Sequence, residues 1–119
     1  MHLSIDPRAA TPPYEQIRQQ ILALIRTDAL HAGTRLPTVR QLAGDLGVAI
    51  NTVAHAYRAL EHDQLIQTRG RRGTYVAAKD AIEGQAQQAA AAYAHQARRL
   101  GLKPVEALRL VRLELGLPG

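Results

Sequence analysis

Cysteine is absent from the 119 residues, which excludes disulfides, thiolate metal sites and thiol catalysis together. Tryptophan and phenylalanine are missing as well, and four tyrosines are the only aromatic residues. The core is therefore expected to be aliphatic, and recognition by stacked bases, as in many single-strand binders, is poorly supported. No apolar run approaches the roughly 20 residues of a membrane span, and the N-terminus lacks the basic-then-apolar order of a signal peptide. The expected location is the cytoplasm, with no membrane partner. No glycine-rich phosphate loop, nucleophile elbow or paired-carboxylate arrangement is visible, so neither enzymatic activity nor a cofactor is expected. The histidines, His2, His31, His55, His62 and His95, are dispersed, and only His55 and His62 stand two helical turns apart, so no metal site is expected.

Positive charge is what the chain has in excess. Fifteen Lys and Arg against ten Asp and Glu give a net charge of +5, and all but two of the fifteen are arginine. Arginine forks match phosphates and guanine edges better than lysine does. Charge alone serves a solvated surface equally well. The length allows one modest domain with an appendage, not two full cores.

The stretch from Thr38 to His62 organises the rest. Val39, Leu42, Ala43 and Leu46 fall at i, i+3, i+4 and i+7, one apolar stripe on a short helix that Gly47 stops. After the turn residue Val48, the residues Val53, Ala56, Tyr57 and Leu60 repeat that spacing. Two short amphipathic helices joined by a tight turn form a helix-turn-helix. The opposite face of the second helix carries Asn51, His55, Arg58 and His62, side chains suited to base edges and phosphates in a major groove. Thr38 with Gln41 forms a capping box at the start of the first helix. Ala49, at the expected N-cap of the second, offers no side-chain acceptor, and Thr52 or DNA phosphates are the candidates for serving its amides.

Upstream, Leu3 to Pro7 carries a weak strand signal. Thr11 is a candidate N-cap for a helix opened by Pro12 and Pro13, with Tyr14, Ile17, Ile21, Leu24 and Ile25 apolar and Glu15, Arg18, Gln19 and Arg26 wet. Gly33 is expected to end that segment, and Pro37 keeps Leu36 extended. From Leu65 the pattern becomes β-favouring: Leu65, Ile66 and Thr68, then Thr74, Tyr75 and Val76, flank the loop Arg69-Gly70-Arg71-Arg72-Gly73. This predicts a hairpin with a wholly basic tip, a wing for phosphates or a narrow minor groove, although a charged tip also guards against edge pairing.

With these residues in place, the chain resembles the winged-helix domain of the GntR family of bacterial transcription regulators. The resemblance runs from Pro13-Tyr14-Glu15-Gln16-Ile17 to Val76. It includes Leu36-Pro37-Thr38-x-Arg40-x-Leu42-Ala43, Asn51-Thr52-Val53, Ala56-Tyr57-x-x-Leu60 and Gly73-Thr74-Tyr75-Val76. It implies a dimeric regulator on a pseudo-palindromic double-stranded DNA operator, contacted through Arg40, Asn51, Thr52, His55 and the wing loop. Many members carry a polar or basic residue where this chain has Ala49 and Ile50, which shifts reading toward His55, Arg58 and the wing. The candidate DNA-binding set is Thr38, Arg40, Asn51, Thr52, His55, Arg58, Arg69, Gly70, Arg71, Arg72 and Thr74.

The family's large effector-binding and aminotransferase-like domains do not fit in the 40 or so residues after Lys79. That remainder resembles the short-tailed YtrA-like subfamily, with Leu100-Gly101-Leu102-x-Pro104-x-Glu106-Ala107-Leu108 as its inter-helix corner. Operons for membrane transporters are the targets this resemblance implies, commonly under repression, and no effector can be named. Ile82, Ala86, Ala89 or Ala90, Tyr93, Ala97 and Leu100 recur at about heptad spacing. Gly101 breaks that helix, Pro104 opens another, and Val105, Leu108, Val111, Arg112 and Leu115 share one face of it. Leu115 to Pro118 reads as its closure and as a natural end.

The expected fold is mainly α with a small β-hairpin. A winged helix-turn-helix over 1–79 is followed over 80–119 by a two-helix C-terminal dimerisation tail using Ile82, Ala86, Ala89, Tyr93, Ala97, Leu100, Leu108 and Val111. The alternatives are a tail folded back on its own domain and a winged-helix protein-interaction module. The polar face and clustered arginines favour DNA, because a protein-docking face is more apolar at its centre.

Overall fold

The computed structural model describes residues 1–118. The elements in order are α1 (Pro13–Arg26), α2 (Val39–Leu46), α3 (Ile50–His62), β1 (Ile66–Thr68), β2 (Thr74–Val76), α4 (Lys79–Arg99) and α5 (Pro104–Glu114). They form two compact units, Met1–Glu83 and a second beginning at Gly84. Among the described residues no helix is long and apolar enough to cross a membrane.

In the first unit α3 is the central element. Val53, Ala56 and Leu60 are completely inaccessible to solvent and Tyr57 nearly so. They meet Ile17, Ile21 and Ile25 of α1 and Leu42 and Ala43 of α2 in one aliphatic cluster completed by Leu36, Leu65, Ile66 and Val76. Both expected stripes of the helix-turn-helix are thus buried, with Val39 and Leu46 half-buried at its margin. The Tyr57 hydroxyl donates to the Pro37 carbonyl at 2.7 Å, fastening α3 to the chain just ahead of α2. Burial pushes its phenol pKa well above the ordinary tyrosine value, as desolvation disfavours the charged form.

The capping box forms as expected. Thr38 Oγ1 accepts from the Gln41 N–H at 3.1 Å, and Gln41 Oε1 accepts from the Thr38 N–H at 3.0 Å. Gly47 ends α2 at φ 69° and ψ 33°, and the Val48 N–H returns to the Ala43 carbonyl at 3.1 Å. That left-handed position is costly for any residue with a Cβ. At the start of α3 the Thr52 side chain does not supply the missing cap: α3 has no side-chain cap bond, and it is the Thr52 N–H that reaches the Ala49 carbonyl at 3.0 Å.

Three local expectations are corrected upstream. The N-cap of α1 is Pro12, not Thr11. The Thr11 carbonyl instead accepts from Gln16 Nε2 at 2.8 Å. Helix α1 stops at Arg26, well before Gly33, because Asp28 adopts φ 61° and turns the chain so that Leu30 enters the core. Leu3 to Pro7 is no strand. It lies along α1, with its backbone bonded by two glutamine side chains. Gln20 accepts from the Ser4 N–H at 3.0 Å and donates to the Ser4 carbonyl at 2.7 Å. Gln16 accepts from the Asp6 N–H at 2.9 Å and donates to the Asp6 carbonyl at 3.0 Å. Leu3 is thereby held buried in the core.

The hairpin pairs antiparallel in the register Ile66↔Val76, Gln67↔Tyr75 and Thr68↔Thr74. Residues 33–36 add to its other edge, a pairing the sequence did not announce. The Gly33 N–H reaches the Val76 carbonyl at 2.8 Å, the Val76 N–H the Thr34 carbonyl at 2.9 Å, and the Leu36 N–H the Thr74 carbonyl at 2.8 Å. The link therefore closes onto β2 instead of running free to α2.

The first turn of α4 belongs with this unit. Ile82 packs against its core, so the division falls after Glu83 and not after Lys79, and Ile82 drops out of the expected tail stripe. In the second unit the rest of α4 meets α5 in a helical hairpin. Ala97 is buried within it, and Tyr93 Oη donates to the Ala107 carbonyl at 2.9 Å. Two residues expected at a dimer interface, Tyr93 and Ala97, thus already serve the hairpin itself. Val111 is half-buried, while Ala86, Ala89, Leu100 and Leu108 are exposed.

Candidate nucleic-acid interface

Because the apolar stripe of α3 is committed to the core, its other residues are forced outward. Asn51, His55 and Arg58 are exposed at i, i+4 and i+7, and Thr52 is half-buried beside them. His62 continues the line one turn on and lies within 3.4 Å of Asp63 Oδ1. His55 has a neighbour that spacing on one helix does not reveal. Its ring stacks on Tyr14 of α1, with centroids 3.8 Å apart and planes inclined by 16°.

Thr38 and Arg40 are exposed at the first turn of α2. The Thr38 hydroxyl already accepts one amide, and it retains a proton to donate. Arg40, Arg58, Arg71 and Arg72 take part in no ion pair among the described residues. The ion pairs among the described residues, Arg18–Glu15, His62–Asp63 and Lys79–Asp28, involve other cations, so these guanidiniums keep their full donor sets for an external anion.

The wing is more structured than a plain loop. Gly70–Arg72 forms a 3-10 turn, the Arg69 N–H donates to the Gly73 carbonyl at 2.8 Å, and Tyr75 Oη donates to the Arg72 carbonyl at 2.7 Å. The Arg69 guanidinium lies over the Tyr75 ring, 4.6 Å from its centroid, a cation–π contact. Arg71 and Arg72 are left at the tip, exposed. Gly73 has φ 106°, and a Cβ there would stand 2.7 Å from Arg35 Nε. Glycine therefore leaves the space that the Arg35 side chain fills at the base of the wing, where the pairing of Arg35 with Tyr75 places it, a fourth arginine that sequence spacing does not put there. Thr74 is half-buried in the sheet, its hydroxyl 3.4 Å from that of Thr68.

Every candidate DNA-binding residue therefore lies on the first unit. Nine of the eleven are exposed, and Thr52 and Thr74 are the half-buried ones. Two helices joined by a glycine-stopped turn, with a basic β-hairpin behind the second, define a winged-helix DNA-binding domain.

The comparisons with known proteins agree. Residues 13–76 match the pattern of the bacterial regulatory proteins of the gntR family, and the chain belongs to that family as a transcription regulator. It is 48% identical to the HTH-type transcriptional regulator Rv1152 of Mycobacterium tuberculosis over 107 residues, covering 90% of this chain and 88% of that protein. It is 45% identical to the HTH-type transcriptional repressor YtrA of Bacillus subtilis over 74 residues, 62% of this chain and 57% of that protein. These likenesses place it in the short YtrA-like subfamily. Among solved structures, YtrA from Sulfolobus acidocaldarius, a GntR-family transcription factor, superposes with TM-score 0.63 at 28% identity, over 94% of this chain and 95% of that one. The DNA-binding domain of AraR in complex with operator ORX1 gives TM-score 0.58 at 26% identity, over 65% of this chain and 99% of that one.

Proposed function

We propose that the protein is a homodimeric repressor that occupies a pseudo-palindromic operator, with α3 of each copy in the major groove and the arginine wing on the flanking backbone or minor groove. The observation that carries this reading is the exposed set Asn51, His55 and Arg58, accompanied by Arg40, Arg71 and Arg72 without ionic partners among the described residues. A polar face crowned by unpaired guanidiniums matches base edges and phosphates. The operator complex of AraR and the repressor named YtrA support the same reading by likeness.

Dimerisation is supported by the second unit. Leu100 is 67% exposed, Val105 78%, Leu108 54% and Leu115 69%, an apolar display that a second copy would cover. Two tethered copies read two half-sites about one helical turn of DNA apart. Repression follows by occlusion of a promoter, and an operon for a membrane transporter is the target class carried by the subfamily resemblance.

Selection of bound duplexes from a random pool by the full chain tests this reading. The expected product is an inverted repeat bound by two copies. A sequence-independent pool, or a single unrepeated half-site bound by one copy, counts against it.

A further inference from the structure

In the first unit, every large apolar side chain beyond Met1 is buried or half-buried except Ile50, which is 42% exposed. It occupies the first position of α3, directly before Asn51, and does not join the aliphatic cluster. Nothing in folding asks for isoleucine there. A β-branched residue is a mediocre helix former, and the start of α3 is already without a side-chain cap. The position is instead the leading edge of the helix whose exposed face carries Asn51, His55 and Arg58.

In the major groove, thymine alone among the four bases presents a methyl group, and an apolar side chain is its natural contact. The neighbouring carboxamide of Asn51 suits N6 and N7 of adenine, so adjacent positions of α3 match the two chemical features of A·T pairs. We infer that Ile50 is a specificity-determining residue that packs on the C5-methyl group of one thymine in each half-site. This rests on the DNA-binding reading and deepens it: Ile50 selects A·T at its position by an apolar contact, where a polar residue would select by hydrogen bonds.

The test starts from the duplex selected by the wild-type chain and replaces each thymine in turn by deoxyuridine, which removes the methyl and keeps every base-pairing group. At one position per half-site wild-type affinity should fall about fourfold, the worth of one buried methyl. Ile50→Ala, whose folding circular dichroism verifies, should bind the thymine and uracil duplexes alike at that position. Wild-type binding unaffected by uracil at every position overturns the inference while leaving DNA recognition standing. A uracil effect that persists undiminished in Ile50→Ala also overturns it, since another group then reads the methyl. Failure of the wild-type chain to prefer any selected duplex over random DNA overturns the DNA-binding reading and this inference with it.

Discussion

His55 of α3 and Tyr14 of α1 stack face to face, their ring centroids 3.8 Å apart. The outward face of α3 is thus partly organised by the first helix: the imidazole turns outward an edge whose plane the tyrosine sets. Since such aromatic pairs contribute about 0.5–1.5 kcal/mol beyond area burial, a double-mutant cycle of Tyr14→Ala and His55→Ala on unfolding free energy should show coupling in that range. Tyr14→Ala should also weaken cognate binding more than binding to random DNA. Fluorescence anisotropy on both duplexes checks this, and equal losses would mean that the stack serves stability alone.

Asn51 carries the strongest expectation for direct reading. Replacing it by Ala should reduce discrimination between the selected operator and random DNA by about 1–3 kcal/mol, with nonspecific affinity nearly unchanged. Competition titrations decide it, because a parallel loss on both duplexes would assign Asn51 to backbone positioning.

At the wing, Arg71 and Arg72 are exposed while Arg69 is committed to the Tyr75 ring. Affinity should fall steeply with salt, and the Arg71→Ala, Arg72→Ala double variant should flatten the log–log slope by about 0.9 for each phosphate that is no longer neutralised. Arg69→Ala should act differently, loosening the wing as well as removing charge. An unchanged slope in the double variant would place the tip away from the phosphates.

Two backbone positions make opposite stability predictions. Gly47 sits at φ 69°, so Gly47→Ala should cost about 1–2 kcal/mol. Gln64 sits at φ 58° just beyond α3, in a site that glycine would occupy without strain. Gln64→Gly should therefore stabilise by about 0.5–1 kcal/mol. Urea unfolding with an unchanged m-value measures both.

A chain ending at Glu83 should fold, remain monomeric and bind the operator far more weakly than the full chain, because the second half-site is no longer tethered at high effective concentration. A chain ending at Lys79 should in addition lose stability, since Ile82 then leaves the core it packs against. Sedimentation together with thermal unfolding separates the two effects. A dimeric 1–83 chain would move the interface onto the winged helix.

The parts of this fold set by local chemistry are legible in the sequence. The stripes of α2 and α3, the Thr38–Gln41 box and the stop at Gly47 follow from spacing within ten residues or so, where helical geometry determines which side chains meet. The contacts that escape such reading are long in sequence: Tyr14 on His55, Arg35 on Gly73, and residues 33–36 on β2. Each depends on how finished elements dock. Ile82 falls on the wrong side of the expected boundary for a related reason, since a continuous helix carries no mark at the point where one burial partner gives way to another. The candidate site is legible as a face, because every position not buried must point outward. Its arginine at the wing base and the stacked tyrosine are not.

The glutamine pair on α1 rests on a near-match between two periodicities. Four residues of α-helix rise roughly 6.0 Å, and two residues of extended chain advance roughly 6.4–6.8 Å. Gln16 and Gln20 therefore meet Asp6 and Ser4 in turn, the helix number rising as the extended number falls. Carboxamides, which carry a donor and an acceptor side by side, complete each rung as a neighbouring strand would. The misfit of roughly half an ångström per rung accumulates, so such a zipper tolerates two rungs and strains at a third or fourth. In this chain the Gln16-x-x-x-Gln20 step on α1 thus pairs with Leu3 to Pro7 as an extended arm laid antiparallel along the helix, distinct from a strand awaiting a sheet.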